Sequence, residues 1–423
     1  MPIDWARFRM KVALFEDGKT EIFSPLTLTK ACFDVNVGAR TCFELYKNAP
    51  EILVTRKYLR NVTAERHPNC QVNPASVDPD TALVNGFMRP DSLDLGKLAQ
   101  KSHTFVLASS GKVLAARLSR SESEKLIESA VSGRKVDVKH FRVEKIYELT
   151  ESNASLLFYP WTIISNLENS LANQVAASNG SRSRVQGRLG ESAPIIDGTA
   201  EIEDGVVFDT TKGGVFVGRG AKLCPSRIVG PTIIGERTLI KQFSIIESSY
   251  IGSDCRIGGE VEHSIICDYT NKAHLGFVGH SYVGEWVNLG AQSTTSDLKL
   301  TYGDIKMKLS GRRVSTGMNK LGVFIGDMVK SSIGTLIHGG LRIGISSHIS
   351  GLVSQDIPSF TIFAASGKRA ELELESAIRT QSRMMTRRNR TMTNAYKKLI
   401  EYVFTRTAEE RKKSGARRVR LFG

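Results

Sequence analysis

Between Val206 and Ser354 an aliphatic residue followed by glycine returns again and again, as Val217-Gly, Val229-Gly, Ile234-Gly, Ile251-Gly, Ile257-Gly, Val283-Gly, Leu289-Gly, Ile325-Gly and Ile343-Gly. Many intervals are six residues. Ile265, Phe277, Val283 and Leu289 share one register, broken at Asn271, and Ile325, Ile337, Ile343 and Ile349 share another, broken at Ser331. Such a period predicts one short flat strand per hexapeptide, with the aliphatic side chain turned inward and a small residue at the corner, where positive φ is often needed. Three faces complete a coil of about eighteen residues, and coils stack about 4.8 Å apart, so backbone bonding runs along the axis of a parallel β-helix. A β-sandwich with glycine turns would instead show strict alternation and a turn signal every 8–12 residues or so. From Ser293 to Gly322 a polar, charged segment interrupts the repeat and reads as a loop extruded from one corner, a common location for function.

The rest of the chain divides by composition. Arg9–Phe15, Glu51–Thr55 and Ser102–Ala108 read as buried strands, and Val37–Tyr46 carries apolar residues at helical spacing, so the first part is expected to be α/β with a mostly parallel sheet. Residues 155–167 are apolar and are expected to return the chain to that sheet and start a helix. The stretch Ala176–Arg188, rich in Ser, Gly and Arg, is the expected linker. These readings give domains at 1–175 and 191–368, a linker at 176–190 and a basic helical tail at 369–423. Residues from Ala370 are good helix formers and could cover the open end of the β-helix. Residues 376–423 hold 14 Lys and Arg against 3 Glu, so most of the net charge of +15 belongs to the tail. Arg387–Arg390, Arg411–Lys413 and Arg417–Arg420 could meet RNA or anionic lipid, or form a solvated or disordered end. Six scattered cysteines show no metal or disulfide spacing, and no apolar run has the length of a signal or a membrane span, so a soluble protein in a reducing cytoplasm is expected.

The segment Asn271-Lys-Ala-His-Leu-Gly-Phe-Val-Gly-His-Ser-Tyr-Val-Gly-Glu-Trp-Val-Asn-Leu-Gly-Ala291 resembles the acetyltransferase half of the GlmU-like family, whose bifunctional enzymes make UDP-N-acetylglucosamine. A variant bacterial and archaeal group of sugar nucleotidyltransferases with the same C-terminal helix is more similar still. The resemblance implies a left-handed coil, against the usual right-handed crossover. It also implies assembly as a homotrimer with sites between adjacent β-helices. Carried over residue by residue, it makes His274 the base that takes the proton of a sugar amine as acetyl-CoA is attacked, a task suited to a neutral imidazole. Asn288 then contacts the substrate, Gly290 and Ala291 the cofactor, and Lys320 the sugar phosphate. Phe277 stands where the family has a tyrosine at the phosphate, Glu262 where it has a lysine, and Asp297-Leu298 where it has Asn-Tyr, so the acceptor could differ. As lone residues, His274, Asn288 and Lys320 could equally be corner, ladder and solvated residues.

In the first domain, Pro25-Leu-Thr-Leu-Thr-Lys30 and Asn85-Gly-Phe87 resemble motifs of the variant group, but the glycine-rich loop of typical pyrophosphorylases is absent. Lys30, Arg40, Asn85, Gly86 and Arg89 are the candidate nucleotide-binding residues, alongside ordinary turn and surface roles. Magnesium would be required only if this domain is active. His263, His274 and His280 suggest zinc, yet residues six apart lie on adjacent faces of a coil, and no metal is expected. The overall expectation is acetyl transfer from acetyl-CoA to an amino-sugar-1-phosphate, with nucleotidyl transfer from UTP or dTTP as a second activity. The alternatives are a nucleotidyltransferase with a purely structural β-helix, and a non-catalytic assembly or RNA-binding protein.

Overall fold

The hexapeptide stretch coils as its period predicts. In the computed structural model, which describes residues 11–46, 49–88, 102–150, 157–178 and 187–418, short parallel strands stack into three long ladders. One climbs from Arg188–Leu189 to Phe277–Gly279, one from Glu201–Ile202 to Asn271–Lys272, and one from Ile195–Ile196 to Arg342–Ile343. Ile228, Ile234, Ile240 and Ile246, six apart, are wholly buried along the axis. Each such side chain contributes about 1.5–3 kcal/mol through burial, so the column of aliphatics is what holds the coils in register.

The period slips at several steps, and one of them matters for the site. Ile266, Val278, Val283 and Leu289 line the core, whereas Phe277 faces outward and is half-buried, because the step from Val278 to Val283 is five residues. A one-residue slip turns a strand's side chains to the other face, so Phe277 does not share the inward register of Val283 and Leu289. At the apparent break the inward residue is Lys272, which pairs with Ile257, and the outward one is Asn271. The second register holds without a slip, with Ile325, Ile337, Ile343 and Ile349 all in the core.

The extruded segment is a structured arm. Lys306–Leu309 pairs antiparallel with Arg312–Ser315 through a Ser310-Gly311 turn with both residues at positive φ, the primed geometry that suits a two-residue hairpin. Met307 and Leu309 are buried beneath it.

The chain forms two compact units. Met1–Phe23, Thr29–Asn36 and Arg40–Tyr159 make the first, and Ser24–Leu28, Val37–Ala39 and Pro160–Gly423 make the second. The first holds a seven-stranded sheet of β1 (Lys11–Phe15), β2 (Ile52–Val54), β3 (Gln71–Val72), β4 (Thr81–Asn85), β5 (Phe105–Ser109), β6 (Lys112–Arg117) and β7 (Lys145–Glu148), ordered β3-β2-β1-β4-β6-β5-β7. Its β3-β2-β1-β4 half is parallel, but β6 is antiparallel to both β4 and β5, so the sheet is mixed. The β5–β6 hairpin turns on Ser110-Gly111, again both at positive φ. Helix α1 (Arg60–Arg66) follows β2, and α2 (Arg120–Val131) follows β6 with Ser119 as its cap.

Val37–Tyr46 forms no α-helix. It contains only a 3-10 turn at Phe43–Leu45, with Thr41 and Glu44 bonded to each other's backbone. Leu157 donates to the carbonyl of Phe87 rather than forming a strand, and α3 (Trp161–Ser165) and α4 (Leu167–Ala176) follow.

The described part of the C-terminal segment is folded. Arg369–Glu371 is a strand that pairs antiparallel with Thr361–Phe363 and closes the last ladder, so the helix begins only at Leu374. Helices α5 (Leu374–Thr386), α6 (Asn394–Arg406) and α7 (Ala408–Lys413) follow. Arg411 is 1 % exposed, held by Glu371 at 2.8 Å, the Thr407 hydroxyl at 2.7 Å and the Phe404 carbonyl at 2.8 Å. Residues 374–418 are therefore folded rather than disordered, with Arg411 partnered inside the fold, while most of the other basic side chains of this segment are solvent-exposed. Among the described residues no helix is long and apolar enough to cross a membrane.

Candidate functional site

His274 sits on the corner between Asn271–Lys272 and Phe277–Gly279, exposed to solvent. Stacking fixes what surrounds it. Asn271 lies beside Asn288, its amide 3.4 Å from the Asn288 carbonyl oxygen, and Gln292 donates its N–H to the carbonyl of Leu275. Ala291 therefore stands one coil on from His274, with Gly290 beside it. A Cβ on Gly290 would lie 2.5 Å from the Ser332 backbone, so only glycine fits, and its N–H donates to the Ser331 hydroxyl at 2.8 Å. At Gly276, with φ +131°, a Cβ would meet the Ser293 carbonyl at 2.1 Å. The corner is thus built for close backbone approach.

Beneath it lies a feature that the repeat pattern alone did not flag. Lys272 occupies an inward position with 2 % exposure, and its ammonium donates to the carbonyls of Gly258 at 2.5 Å, Gly276 at 2.7 Å and His274 at 3.3 Å. A charged amine in the core braces the His274 corner from inside. Burial lowers its pKa to about 8, against a smaller opposing effect of Glu260. The folded chain therefore releases this proton before the unfolded chain does, and stability rises as pH climbs from about 8 towards 10.5 and falls as pH drops through about 8. Between pH 7.5 and 9.5 the gain is about 2 kcal/mol. Urea unfolding should show this gain in the parent and lose it in Lys272→Met; parallel pH curves would rule out a depressed lysine.

A second cluster lies at the far end of Phe277–Gly279. The Phe277 ring covers Gly279, close to the Asp297 carboxylate. His280 Nδ1 is 2.7 Å from Asp297 Oδ2, and Lys320 Nζ is 3.5 Å from Glu262 Oε1. Burial works to raise the Asp297 pKa, but the bond to His280 and the charge of Lys320 bring it below the ordinary value. His263 is lowered by burial and by its neighbour His280. Of the proposed residues, then, His274, Asn288, Gly290 and Ala291 gather at one corner, while Glu262, Phe277 and Lys320 gather at the next, joined by one strand. Sequence spacing missed His280 and Asp297 as a pair because they meet across coils, 17 positions apart.

The histidines pair across coils and not along one. His274 and His280, six apart, are on different corners, but His263 and His280 stack across coils with ring centroids 4.8 Å apart and planes within 1°.

The ladder of Asn288 continues to the tail. Arg388 Nη2 donates to Asn271 Oδ1 at 2.7 Å, and Arg390 lies over the Tyr269 ring, which stacks on Trp286 at 4.1 Å.

In the first unit, the carboxyl ends of β1, β2 and β4 converge at the point where the order of the parallel strands reverses, the usual ligand crevice of such sheets. Asn85 and Gly86 end β4. The Asn85 amide donates to Val113 and its carbonyl oxygen accepts from Phe87, and a Cβ on Gly86 would lie 2.6 Å from Cys32 Sγ. Lys30 is buried nearby in the chain, two residues before Cys32, whereas Arg40 is exposed; Arg89 lies outside the described residues. The most heavily engaged group here is Glu16, fully buried and bonded to Arg56, Thr55 and the Cys32 N–H.

A seven-stranded mixed sheet and a β-helix of six-residue repeats thus stand in one chain. Residues 12–183 match the family model described as "Sugar nucleotidyl transferase". The chain is GlmU-like in sequence. It is 29% identical over 205 residues to the bifunctional sugar-1-phosphate nucleotidylyltransferase/acetyltransferase of Sulfurisphaera tokodaii, covering 47% of this chain and 45% of that one. It is 32% identical over 130 residues to the bifunctional protein GlmU of Methanocaldococcus jannaschii, covering 30% and 31%. The chain thus spans less than half the length of these curated relatives. A solved Arabidopsis UDP-N-acetylglucosamine acyltransferase aligns at a TM-score of 0.26 and 17% identity, over 46% of this chain and 75% of that one.

Proposed function

We propose that this chain transfers an acetyl group from acetyl-CoA to the amine of an amino-sugar-1-phosphate at the His274 corner, and that its first unit carries a sugar-1-phosphate nucleotidyltransferase activity. What supports the acetyl-transfer reading most is the backbone around His274, fixed from inside by Lys272 and flanked one coil on by Gly290 and Ala291. An exposed imidazole on a rigid corner can meet a substrate amine without reorganisation. Asn288 lies on the same face of the coil to orient the acceptor, and Lys320 supplies a cation for its phosphate. Glu262 pairs with that lysine and Phe277 offers no hydroxyl, so the acceptor is held differently from the usual family substrate.

Homotrimer assembly would cover Leu275 and Ile333, which are 66% and 75% exposed close to the same corner. In the first unit, Lys30, Asn85 and Gly86 are the residues of the nucleotide crevice, with Arg40 as a candidate cation for phosphate. Magnesium would arrive with the phosphates of UTP or dTTP, since Glu16 is consumed by Arg56 and the described residues of this unit hold no three-residue group of His, Cys, Asp or Glu.

One assay tests both activities. The protein is incubated with acetyl-CoA and glucosamine-1-phosphate, then with UTP or dTTP and magnesium, while free thiol and pyrophosphate are followed separately. Thiol release that depends on the amino sugar is expected; thiol release absent with every amino-sugar phosphate tried would sink acetyl transfer and leave the β-helix a scaffold.

A further inference from the structure

His263 and His280 stack at one corner of the coil as Tyr269 and Trp286 do at another, but here both rings carry nitrogen ligand atoms. Both residues adopt positive φ, 43° and 47°, and so stand directly above one another at successive turns of the β-helix. One ligand atom from each of Glu262, His263 and His280 lies within 4.8 Å of the others, the only such group of three among the described residues. His263 Nδ1 is buried without a hydrogen-bond partner and lies 3.6 Å from Glu262 Oε1.

The outer surroundings complete a recognisable pattern. A metal-bound imidazole characteristically presents its second nitrogen to a carboxylate, which fixes the ring and raises its basicity. Here Asp297 Oδ2 stands 2.7 Å from His280 Nδ1, leaving Nε2 for a ligand, and Glu168 Oε2 stands 3.6 Å from His263 Nε2, leaving the orphaned Nδ1. Charge also points to a cation. Glu168, Glu247, Glu262 and Asp297 gather around the two rings, against Lys212 on Glu247 at 2.7 Å and Lys320 on Glu262 at 3.5 Å.

We propose that Glu262, His263 and His280 hold a divalent transition-metal ion of the zinc class, with Asp297 and Glu168 as the carboxylates behind the two histidines. Two imidazoles and one carboxylate suit zinc, and three protein ligands leave a fourth position open to water or a phosphate oxygen. Binding draws the two parallel rings together by tilting them, bringing donor atoms from 4.8 Å to the separation of about 3.3 Å that zinc bond lengths of about 2.0–2.1 Å require. Lys320 is then released from Glu262, which frees its ammonium for an anion.

The proposal does not rest on the acetyl-transfer reading, and the test separates the two. Untagged protein is stripped by a chelator, loaded with Zn²⁺ or Co²⁺, passed through gel filtration and analysed for metal. About one equivalent of zinc per chain is expected, and Co²⁺ should give the visible bands of a four- or five-coordinate site. His263→Gln, His280→Gln and Glu262→Gln should each retain less than about a tenth of an equivalent. Asp297→Asn should bind about 10–100-fold more weakly, and His274→Ala and His338→Gln should bind as the parent does. If either histidine variant misfolds, Glu262→Gln, at a half-buried surface position, supplies the same comparison. Parent protein that retains less than about a tenth of an equivalent, or ligand variants that bind like the parent, would overturn the site.

Discussion

Arg56→Met is expected to destabilise the first unit by about 3–5 kcal/mol, the cost of leaving a buried charge without its partner. Glu16 is fully buried and Arg56 nearly so, and the guanidinium meets the carboxylate through Nη2 at 2.9 Å and Nε at 3.2 Å. The same carboxylate accepts from the N–H of Arg56 at 2.9 Å and of Cys32 at 2.8 Å, and from the Thr55 hydroxyl. Arg56 Nη2 also reaches the carbonyl of Lys30 at 3.4 Å. One ion pair therefore ties the ends of β1 and β2 to the Lys30–Cys32 segment, and its loss should loosen the proposed nucleotide crevice as well as the fold. Urea unfolding of Arg56→Met, Glu16→Met and the double variant separates the causes. The double variant should be less damaged than the sum of the singles, because removing both charges leaves none stranded. Additive losses would mean that the two side chains contribute only packing.

The scaffold was legible because a column of aliphatics at six-residue spacing is the mark of a stacked coil. Ile228, Ile234, Ile240 and Ile246 all ended in the core. The mixed sheet was less legible. Nothing in the apolar run Ser102–Ala108 distinguishes a parallel strand from the first arm of a hairpin; Ser110-Gly111, whose two residues take the positive φ of a primed turn, is the signal that could have. The failed helix at Val37–Tyr46 has a similar cause. Its spacing is helical, but Gly38 takes φ +122° and Gln174 bonds to the backbone of Val37 and Ala39, holding that segment extended.

The site was legible only in part, because a hexapeptide period gives position around the coil but not along it. Coils here differ in length: Ile257 pairs with Lys272 but Asn271 with Asn288, and the extruded arm carries Asn288 to Lys330. Contacts between coils therefore depend on every insertion between them. That is why His280 with Asp297, His263 with His280, and the ladder from Arg388 to Asn271 emerge only in three dimensions. Lys272 stood in plain view, but a lysine at an apparent break in the repeat looks like a surface residue until its three carbonyl partners are seen.

His274→Ala should reduce thiol release from acetyl-CoA by about 10²–10⁴-fold, the range that a positioned general base contributes. The loss should fall on kcat, since the proposed role of the imidazole is to take the amine proton as the tetrahedral intermediate forms, and KM for acetyl-CoA should stay within about threefold, since the proposal gives that ligand to the Gly290–Ala291 backbone. Pyrophosphate release with UTP or dTTP should be unchanged, because the proposed nucleotide crevice belongs to a different unit of the chain. Lys272→Met provides the graded comparison. Removing the brace leaves His274 present but its carbonyl and that of Gly276 without the ammonium, so activity should fall less than in His274→Ala. Full activity in His274→Ala would reject this histidine as the base and turn attention to His280, whose Nδ1 is already fixed by Asp297 in the geometry a base requires.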